Sequence, residues 1–282
     1  MKVSYKLLAI VTSVLFIASM FAAIPVRSVT TVELPDYEPI DIGPQLREQD
    51  LSINLERIPE IVGPSHHSYW EVGDMALWVY ADFYTGYYYL DYFELRAIGS
   101  TVEIWVQVDL SWPEGDPRDY PIITDEMIEY MLNEFENNIY PIDTTYFGIP
   151  DFHDGSNAVM DDWLELPSDY YYQEDGRNVI LVSNIRDDNY YNYEYPYYVA
   201  GFYSSSLEWF FDRNIISIDC YDWIHRLGPE GYSWVPDEYV TRPHLYESVV
   251  AHEYQHLIHD DYNPDDATFM NEGCSMYAEI LT

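Results

Sequence analysis

Two histidines, His252 and His256, stand four residues apart and flank Glu253 in the segment His252-Glu-Tyr-Gln-His256. On a helix, side chains at i and i+4 lie on one face with Cβ atoms roughly 5–6 Å apart, so the two imidazoles can converge on one ion. This residue set is typical of a catalytic zinc site. Glu253 lies beside the same face, where it could accept a proton from water during hydrolysis.

The flanking residues predict the helix that such a pair requires, from Arg242 to Asp261. Thr241 is the expected N-cap, Pro243 falls in the first turn where its missing N–H costs little, and Pro264 should end the helix. Apolar residues surround the motif: Tyr246, Val249, Val250, Leu257 and Ile258. The alternative interpretation is a surface helix that carries two solvated histidines.

A catalytic zinc ion normally takes three protein donors, and we expect Glu272 to be the third. A second helix is predicted from about Phe269 to the end of the chain, capped by one of three residues, Asp265, Asp266 or Thr268. Glu279 follows Glu272 by two helical turns on the same face, and it either orients a ligand histidine or is a surface charge. Asn271 is a further candidate for orienting a ligand.

An alternative ligand spacing would place a glycine and then a third His or Asp after His256. Those two positions are His259 and Tyr262 here, so that arrangement fails.

The motif, followed by Asn271-Glu272-Gly273 and by Tyr277-Ala278-Glu279, resembles the glutamate-ligand zincins. Within these it is similar to the secreted hyicolysin and immune inhibitor A-like metallopeptidases. The likeness covers roughly residues 69–282 and includes the segments 135–148 and 214–219. Immune inhibitor A has the glycine-containing spacing that this chain lacks, which favours the hyicolysin-like side. The resemblance implies a Zn²⁺ cofactor and peptide bonds as the substrate.

Related enzymes also carry a C-terminal helical subdomain that supplies a group to stabilise the oxyanion. No such subdomain is found before Thr282, so we expect this sequence to be a fragment of a longer protein. Tyr277 could replace the missing donor, but we expect it to be packed instead.

The N-terminus predicts export. Lys2 and Lys6 precede an uncharged, apolar stretch from Leu7 to Ile24, which is typical of a secretory signal in residues 1–28. An uncleaved N-terminal anchor is the alternative, because the run is close to spanning length. No second span occurs, so the rest of the protein should not insert into a membrane after cleavage.

The chain has 50 Asp and Glu residues against 12 Lys and Arg, a formal net charge of −38. Such a surface repels nucleic acid and anionic lipid, which excludes those partners. The segment 151–157, Asp-Phe-His-Asp-Gly-Ser-Asn, could bind structural Ca²⁺, but it lacks the regular ligand spacing of a calcium loop, and a solvated face is the simpler interpretation. The sequence does not indicate an oligomeric state.

Cys220 and Cys274 are the only cysteines. Export would permit a disulfide between them, bracing the second helix against the sheet, whereas two unpaired thiols are nearly as plausible. Neither is expected to bind zinc.

Three regions follow the signal segment: a linker or strap, then a hairpin region and a core that together form the catalytic domain. Residues 29–68, rich in Pro, Asp and Glu, predict a linker or a strap across the surface. Residues 69–112 predict antiparallel hairpins from three strands, 76–84, 87–97 and 101–110. Residues 113–282 predict the core, with a helix capped by Thr124 and running to about Ile139, and strands at 178–185, 199–203 and 215–220.

These features predict an α+β, zincin-like catalytic domain in residues 69–282, with a mixed, largely antiparallel sheet and the His-Glu-x-x-His helix, truncated at its C-terminus. We expect a secreted zinc endopeptidase that acts on protein or peptide. Strand 215–220 is a candidate edge on which an extended substrate could add, or an ordinary interior strand. The alternatives are a zinc aminopeptidase or other zinc hydrolase, and a non-catalytic acidic extracellular binding protein.

Overall fold

The structure is a computed structural model that describes Val32 and residues 34–46, 51–53, 70–229 and 241–282. The predicted signal segment, residues 1–28, lies outside these ranges. Nine strands occur in the described part of the chain: β1 Glu38–Ile40, β2 Ser52–Ile53, β3 Met75–Asp82, β4 Tyr87–Ile98, β5 Val102–Gln107, β6 Asn178–Ser183, β7 Tyr197–Val199, β8 Gly201–Tyr203 and β9 Ile215–Asp219.

Nine α-helices occur in the described part of the chain. They are α1 Gly43–Leu46, α2 Asp125–Glu134, α3 Tyr140–Tyr146, α4 Met160–Trp163, α5 Asp188–Tyr191, α6 Ser205–Phe211, α7 Trp223–Arg226, α8 Leu245–Tyr262 and α9 Thr268–Leu281, with a π-helical turn at Phe135–Ile139 between α2 and α3. Among the described residues, no helix combines the length and the apolar character needed to cross a membrane.

Seven strands form the main sheet in the order β2-β4-β5-β6-β9-β8, and β3 pairs with the other edge of β4. The predicted mixed α+β class is therefore confirmed. The predicted mixed sheet is also confirmed, but antiparallel pairs do not predominate in it: three described pairs are antiparallel, and three are parallel, β2–β4, β5–β6 and β6–β9. Every residue of strands β6 and β9 is buried and most are apolar, the pattern of parallel strands covered on both faces.

The two hairpins expected in the first third of the domain are confirmed. Strand β4 pairs antiparallel with β3 across the turn that contains Thr85 and Gly86, and with β5 across the turn at Gly99 and Ser100. Segment 199–203, predicted as one strand, is divided into β7 and β8, which belong to two different sheets.

Strand β9 is an interior strand, since it lies between β6 and β8. Of the two alternatives for residues 215–220, the interior strand is the one observed. Strand β8 forms the edge of the sheet on that side. Sequence could not separate these cases, because a short apolar run has the same composition in either position.

Helices α2 and α8 cover one face of the sheet. Thr124 caps α2 as predicted, its Oγ1 accepting a hydrogen bond of 3.3 Å from the Met127 backbone N–H. Helix α2 ends at Glu134 rather than Ile139, but helical structure continues through the π turn into α3, with Pro141 in the first turn of α3. From α8, apolar side chains bury themselves against β6 and β9: Tyr246, Val250, Ala251, Tyr254, Leu257 and Ile258.

Helix α8 begins three residues later than predicted. His244, in a left-handed conformation, precedes its first residue, so Thr241 is not its N-cap. Its last residue is Tyr262, and Pro264 follows at the position expected of a helix terminator. The N-cap residue of α9 is Ala267. The predicted caps of that helix, Asp265, Asp266 and Thr268, are therefore wrong.

Cys220 and Cys274 are free thiols, so no disulfide between them joins α9 to the sheet. Cys220 is fully buried beneath α8, where apolar packing accounts for it. The Tyr277 side chain is 47% exposed, and its ring makes an edge contact with the Tyr146 ring. The expectation that Tyr277 is packed is therefore wrong.

The described part of residues 29–68 is joined to the rest of the fold, as a strap would be. Strand β1 pairs in parallel with β7, and Tyr37, just before it, is fully buried. Residues from Leu34 onward belong to one unit.

Candidate metal site

The α8–α9 hairpin brings the residues of the motif together. Helix α8 presents His252 and His256, and the turn at residues 263–267 reverses the chain so that α9 returns along α8. The α9 residues that face α8 recur at helical spacing, namely Asn271, Glu272, Ser275, Ala278 and Glu279. Local sequence periodicity therefore produces the arrangement.

The two imidazole rings meet edge to face, with His252 Nε2 and His256 Nε2 3.0 Å apart. The Glu272 Oε2 atom lies 3.7 Å from His252 Nε2 and 3.6 Å from His256 Nε2. Three donors about 2.0–2.1 Å from one tetrahedral ion would be separated by about 3.3 Å. These three predicted ligands therefore lie at separations that one zinc-sized ion could bridge.

The other nitrogen of each ring has a partner of its own. Glu279 Oε1 accepts a hydrogen bond of 2.6 Å from His252 Nδ1, and Asn271 Oδ1 accepts one of 2.6 Å from His256 Nδ1. Such bonds fix the tautomer that leaves Nε2 as the electron-pair donor. Both residues that the sequence suggested as orienting groups thus contact the expected histidines.

Asp41 is a fourth donor that sequence reasoning did not anticipate. Its carboxylate lies 3.8 Å from His252 Nε2, and Asp41, His252, His256 and Glu272 offer ligand atoms that are all within 4.8 Å of one another. The Asp41 and Glu272 carboxyl groups are within hydrogen-bonding reach. The two carboxylates and the two imidazole nitrogens all direct electron pairs toward one point. These electron pairs repel one another unless a proton or a cation lies among them, so this donor set fits a divalent metal.

The charges around His252 favour a cation. Burial opposes protonation of this ring, but the hydrogen bond to Glu279 and the nearby Glu253 and Asp41 outweigh it and raise the pKa of His252 to about 9. The same neighbouring carboxylates would attract a divalent ion held between the two rings.

Glu253, the predicted proton acceptor, is 3% exposed and lines the same cleft as His252. Burial raises the pKa of its carboxyl to about 8, and a backbone hydrogen bond from Tyr203 in edge strand β8 partly opposes that rise. One of its oxygens, Oε2, has no hydrogen-bond partner in the described part of the chain. The group is positioned to exchange a proton near neutral pH.

Ser275 is another residue of the site that the sequence analysis missed. Its hydroxyl donates to Gln255 Oε1 and lies 3.0 Å from His256 Nδ1, so it links both helices behind the second histidine. Its i+4 relation to Asn271 could have indicated this placement.

A second group of possible donors lies elsewhere in the described chain and comprises His153, Glu208 and Asp261. His153 Nδ1 is 2.8 Å from Asp212 Oδ1, and His153 Nε2 is 3.6 Å from Glu208 Oε1. Burial, together with Asp261, raises the pKa of Glu208 to about 8. Of the segment 151–157 that we considered for calcium, only His153 belongs to this group.

Neither the scan against protein-family models nor the search of curated proteins found a match to this chain. Functional assignment therefore depends on the geometry of the site and on the motif.

Proposed function

We propose that this protein is a secreted zinc-dependent endopeptidase of the zincin class, with His252, His256 and Glu272 as metal ligands. The observation that carries the proposal is the convergence of both Nε2 atoms and the Glu272 carboxylate on one point. Two imidazoles with a carboxylate are a donor set used by catalytic zinc in peptidases. A bound Zn²⁺ would supply Lewis acidity, polarising a carbonyl and making a water molecule more acidic.

Glu253 is the general base in this proposal. Its buried carboxylate takes a proton from the attacking water and later transfers it to the leaving amine as the C–N bond breaks. The Glu253 side chain lines the same cleft as His252, and its Oε2 atom has no hydrogen-bond partner among the described residues, so this oxygen is available to a water molecule in the cleft.

Edge strand β8 supports a peptide as the substrate. It ends the main sheet beside α8, and Gly201 lines the same cleft as His252 and Glu253. An extended peptide could lie along this edge and place a carbonyl near the histidines, the usual mode of adding a strand to a sheet.

The experiment that tests the proposal compares Glu253→Gln with the parent chain and with Glu129→Gln, a control at an exposed position of α2. We expect one bound zinc per chain in all three proteins, measured by elemental analysis. Casein cleavage should fall by about 10²–10⁴-fold in Glu253→Gln only.

Three results would count against the assignment. Unchanged cleavage in Glu253→Gln would remove this residue as the base, and a folded parent chain without bound metal would remove the peptidase assignment. A requirement for a free N-terminal amine on small substrates would indicate an aminopeptidase instead.

A further inference from the structure

The N-terminal segment from Tyr37 to Gly43, referred to below as the strap, passes directly over the candidate metal site. Its first part is strand β1, which pairs with β7, and its last part enters α1. Pro39, Ile40 and Asp41 line the same cleft as Gly201, His252 and Glu253. The strap therefore forms one wall of the cleft beside the edge strand β8.

Specific contacts hold the strap at its start. The Tyr37 ring is fully buried, and its hydroxyl donates a hydrogen bond of 2.5 Å to the Tyr193 carbonyl. Arg226 Nη2 donates to the Tyr37 carbonyl at 3.0 Å, and Arg242 forms a salt bridge with Glu38. The position of the strap is thus fixed by the domain.

At its other end the strap turns so that Asp41 faces the two histidines. The Gly43 N–H donates a hydrogen bond of 2.6 Å to Asp41 Oδ1, which leaves Oδ2 directed at His252 Nε2, 3.8 Å away. A Cβ on Gly43 would lie 3.1 Å from Asp41 Oδ1, 3.4 Å from His256 Nε2 and 3.5 Å from Glu272 Oε1. The absence of a side chain there lets the strap backbone approach the presumed ligands closely.

The chemistry of Asp41 matches a metal ligand rather than a substrate contact. A catalytic site of this class keeps one coordination position for water, and three donors are already supplied by His252, His256 and Glu272. The Asp41 carboxylate stands within hydrogen-bonding reach of Glu272, a contact between like charges that a shared cation would stabilise. Nothing else in the strap places a charged group at this point.

We propose that Asp41 is a fourth ligand of the metal and that the strap keeps this enzyme latent, as a built-in inhibitor. The inference rests on the proposed peptidase function. With Asp41 bound, the position that water requires is taken, and Pro39 and Ile40 form one wall of the cleft beside β8. Only the minority of parent molecules with the strap displaced would be active, so the parent retains a reduced casein cleavage.

Binding of acetohydroxamate, a small chelator of catalytic zinc, tests this without depending on catalysis. The zinc-loaded parent chain is compared with Asp41→Asn and with Asp265→Asn, an equal change of charge at an exposed position of the α8–α9 connection. If the latent form exceeds nine-tenths of the parent molecules, Asp41→Asn should bind the hydroxamate at least about tenfold more tightly. Its casein cleavage should rise, and Asp265→Asn should match the parent.

The outcomes separate the two proposals. Metal bound in both proteins with equal hydroxamate affinity would overturn the latency and leave the peptidase assignment intact. Looser metal binding in Asp41→Asn without a gain in hydroxamate affinity would make Asp41 a permanent ligand, which also overturns latency. Failure of the folded parent and Asp41→Asn proteins to bind zinc would overturn both proposals.

Discussion

Glu279 Oε1 lies 2.6 Å from His252 Nδ1, across the interface between the last described helix and the helix of the motif. The sequence left two roles open for this carboxylate, an orienting group and a surface charge. The contact supports the first, although the Glu279 side chain remains 39% exposed. One hydrogen bond thereby links the position of α9 to the direction in which His252 presents its Nε2.

Replacing Glu279 should therefore weaken metal binding. Partners of this kind typically contribute 10–100-fold to metal affinity, because they hold the ring and its tautomer. We expect Glu279→Ala to lose about that factor in a competition titration against a chromophoric chelator. Glu279→Gln keeps an acceptor oxygen and should lose less. Equal losses in the two variants would show that the hydrogen bond is not what matters.

Local sequence patterns predict most residues of the candidate site, but not all of them. The zinc motif, helical spacing and the Asn-Glu-Gly segment that follows predict His252, Glu253, His256, Asn271, Glu272 and Glu279, and the structure brings these residues together. Asp41 was not chosen, since it is more than two hundred residues from His252 and no periodic pattern surrounds it. Its position depends on the pairing of β1 with β7, a long-range contact that a single sequence does not encode locally.

The fold shows the same limit. The three strands of the hairpin region were predicted from turn residues and apolar runs, which are local. The sequence left the place of β9 open between an edge and an interior position, because strand order is decided by packing on both faces. The π turn before Tyr140 gave no signal, and Pro141 would ordinarily have indicated the end of a helix.

Asp143 supplies a prediction about pH. This carboxyl on α3 is completely buried, and neither oxygen has a hydrogen-bond partner in the described structure. Burial raises the pKa of Asp143 to about 8. The folded state thus binds its proton more tightly than the unfolded state, so this contribution is fully present below about pH 4 and is lost as pH rises toward 8.

Asp143→Asn should remove that dependence. Between pH 5 and pH 8 the parent should lose on the order of 4 kcal/mol of unfolding free energy that the variant keeps, because the variant has no charge to bury. Urea denaturation at both pH values measures it. Asp162→Asn, at an exposed position of α4, should leave the difference unchanged. A parallel pH dependence in parent and Asp143→Asn would contradict the assignment.

A buried ion pair joins two strand regions. Arg213 Nη2 lies 2.8 Å from Glu103 Oε1, and both side chains are fully buried. Arg213 also donates to the carbonyls of Tyr171 and Arg177, each at 3.1 Å. Removing the guanidinium would leave an unpaired buried carboxylate, which is more costly than removing the pair.

Arg213→Met should therefore lower the free energy of unfolding by about 3–5 kcal/mol, measured by urea denaturation. The double variant Arg213→Met, Glu103→Gln removes the uncompensated charge and should recover part of that loss. If the double variant is no more stable than the single one, the cost comes from the lost carbonyl contacts and not from the charge.

Gly155 lies in the loop that carries His153, and any side chain at this position would be strained. It has φ +86, and a Cβ there would lie 2.2 Å from the Tyr171 carbonyl oxygen, a backbone atom that cannot move aside as a side chain would. Gly86 also has positive φ, +75, with nothing within 4 Å. Gly86→Ala should lower the free energy of unfolding by about 1–2 kcal/mol, the cost of a left-handed backbone conformation for a residue with a Cβ. Gly155→Ala adds the overlap and should cost about 3 kcal/mol or more, measured by urea denaturation. Equal losses would mean that the segment beside Tyr171 relaxes freely, and that the position of His153 is not held by this contact.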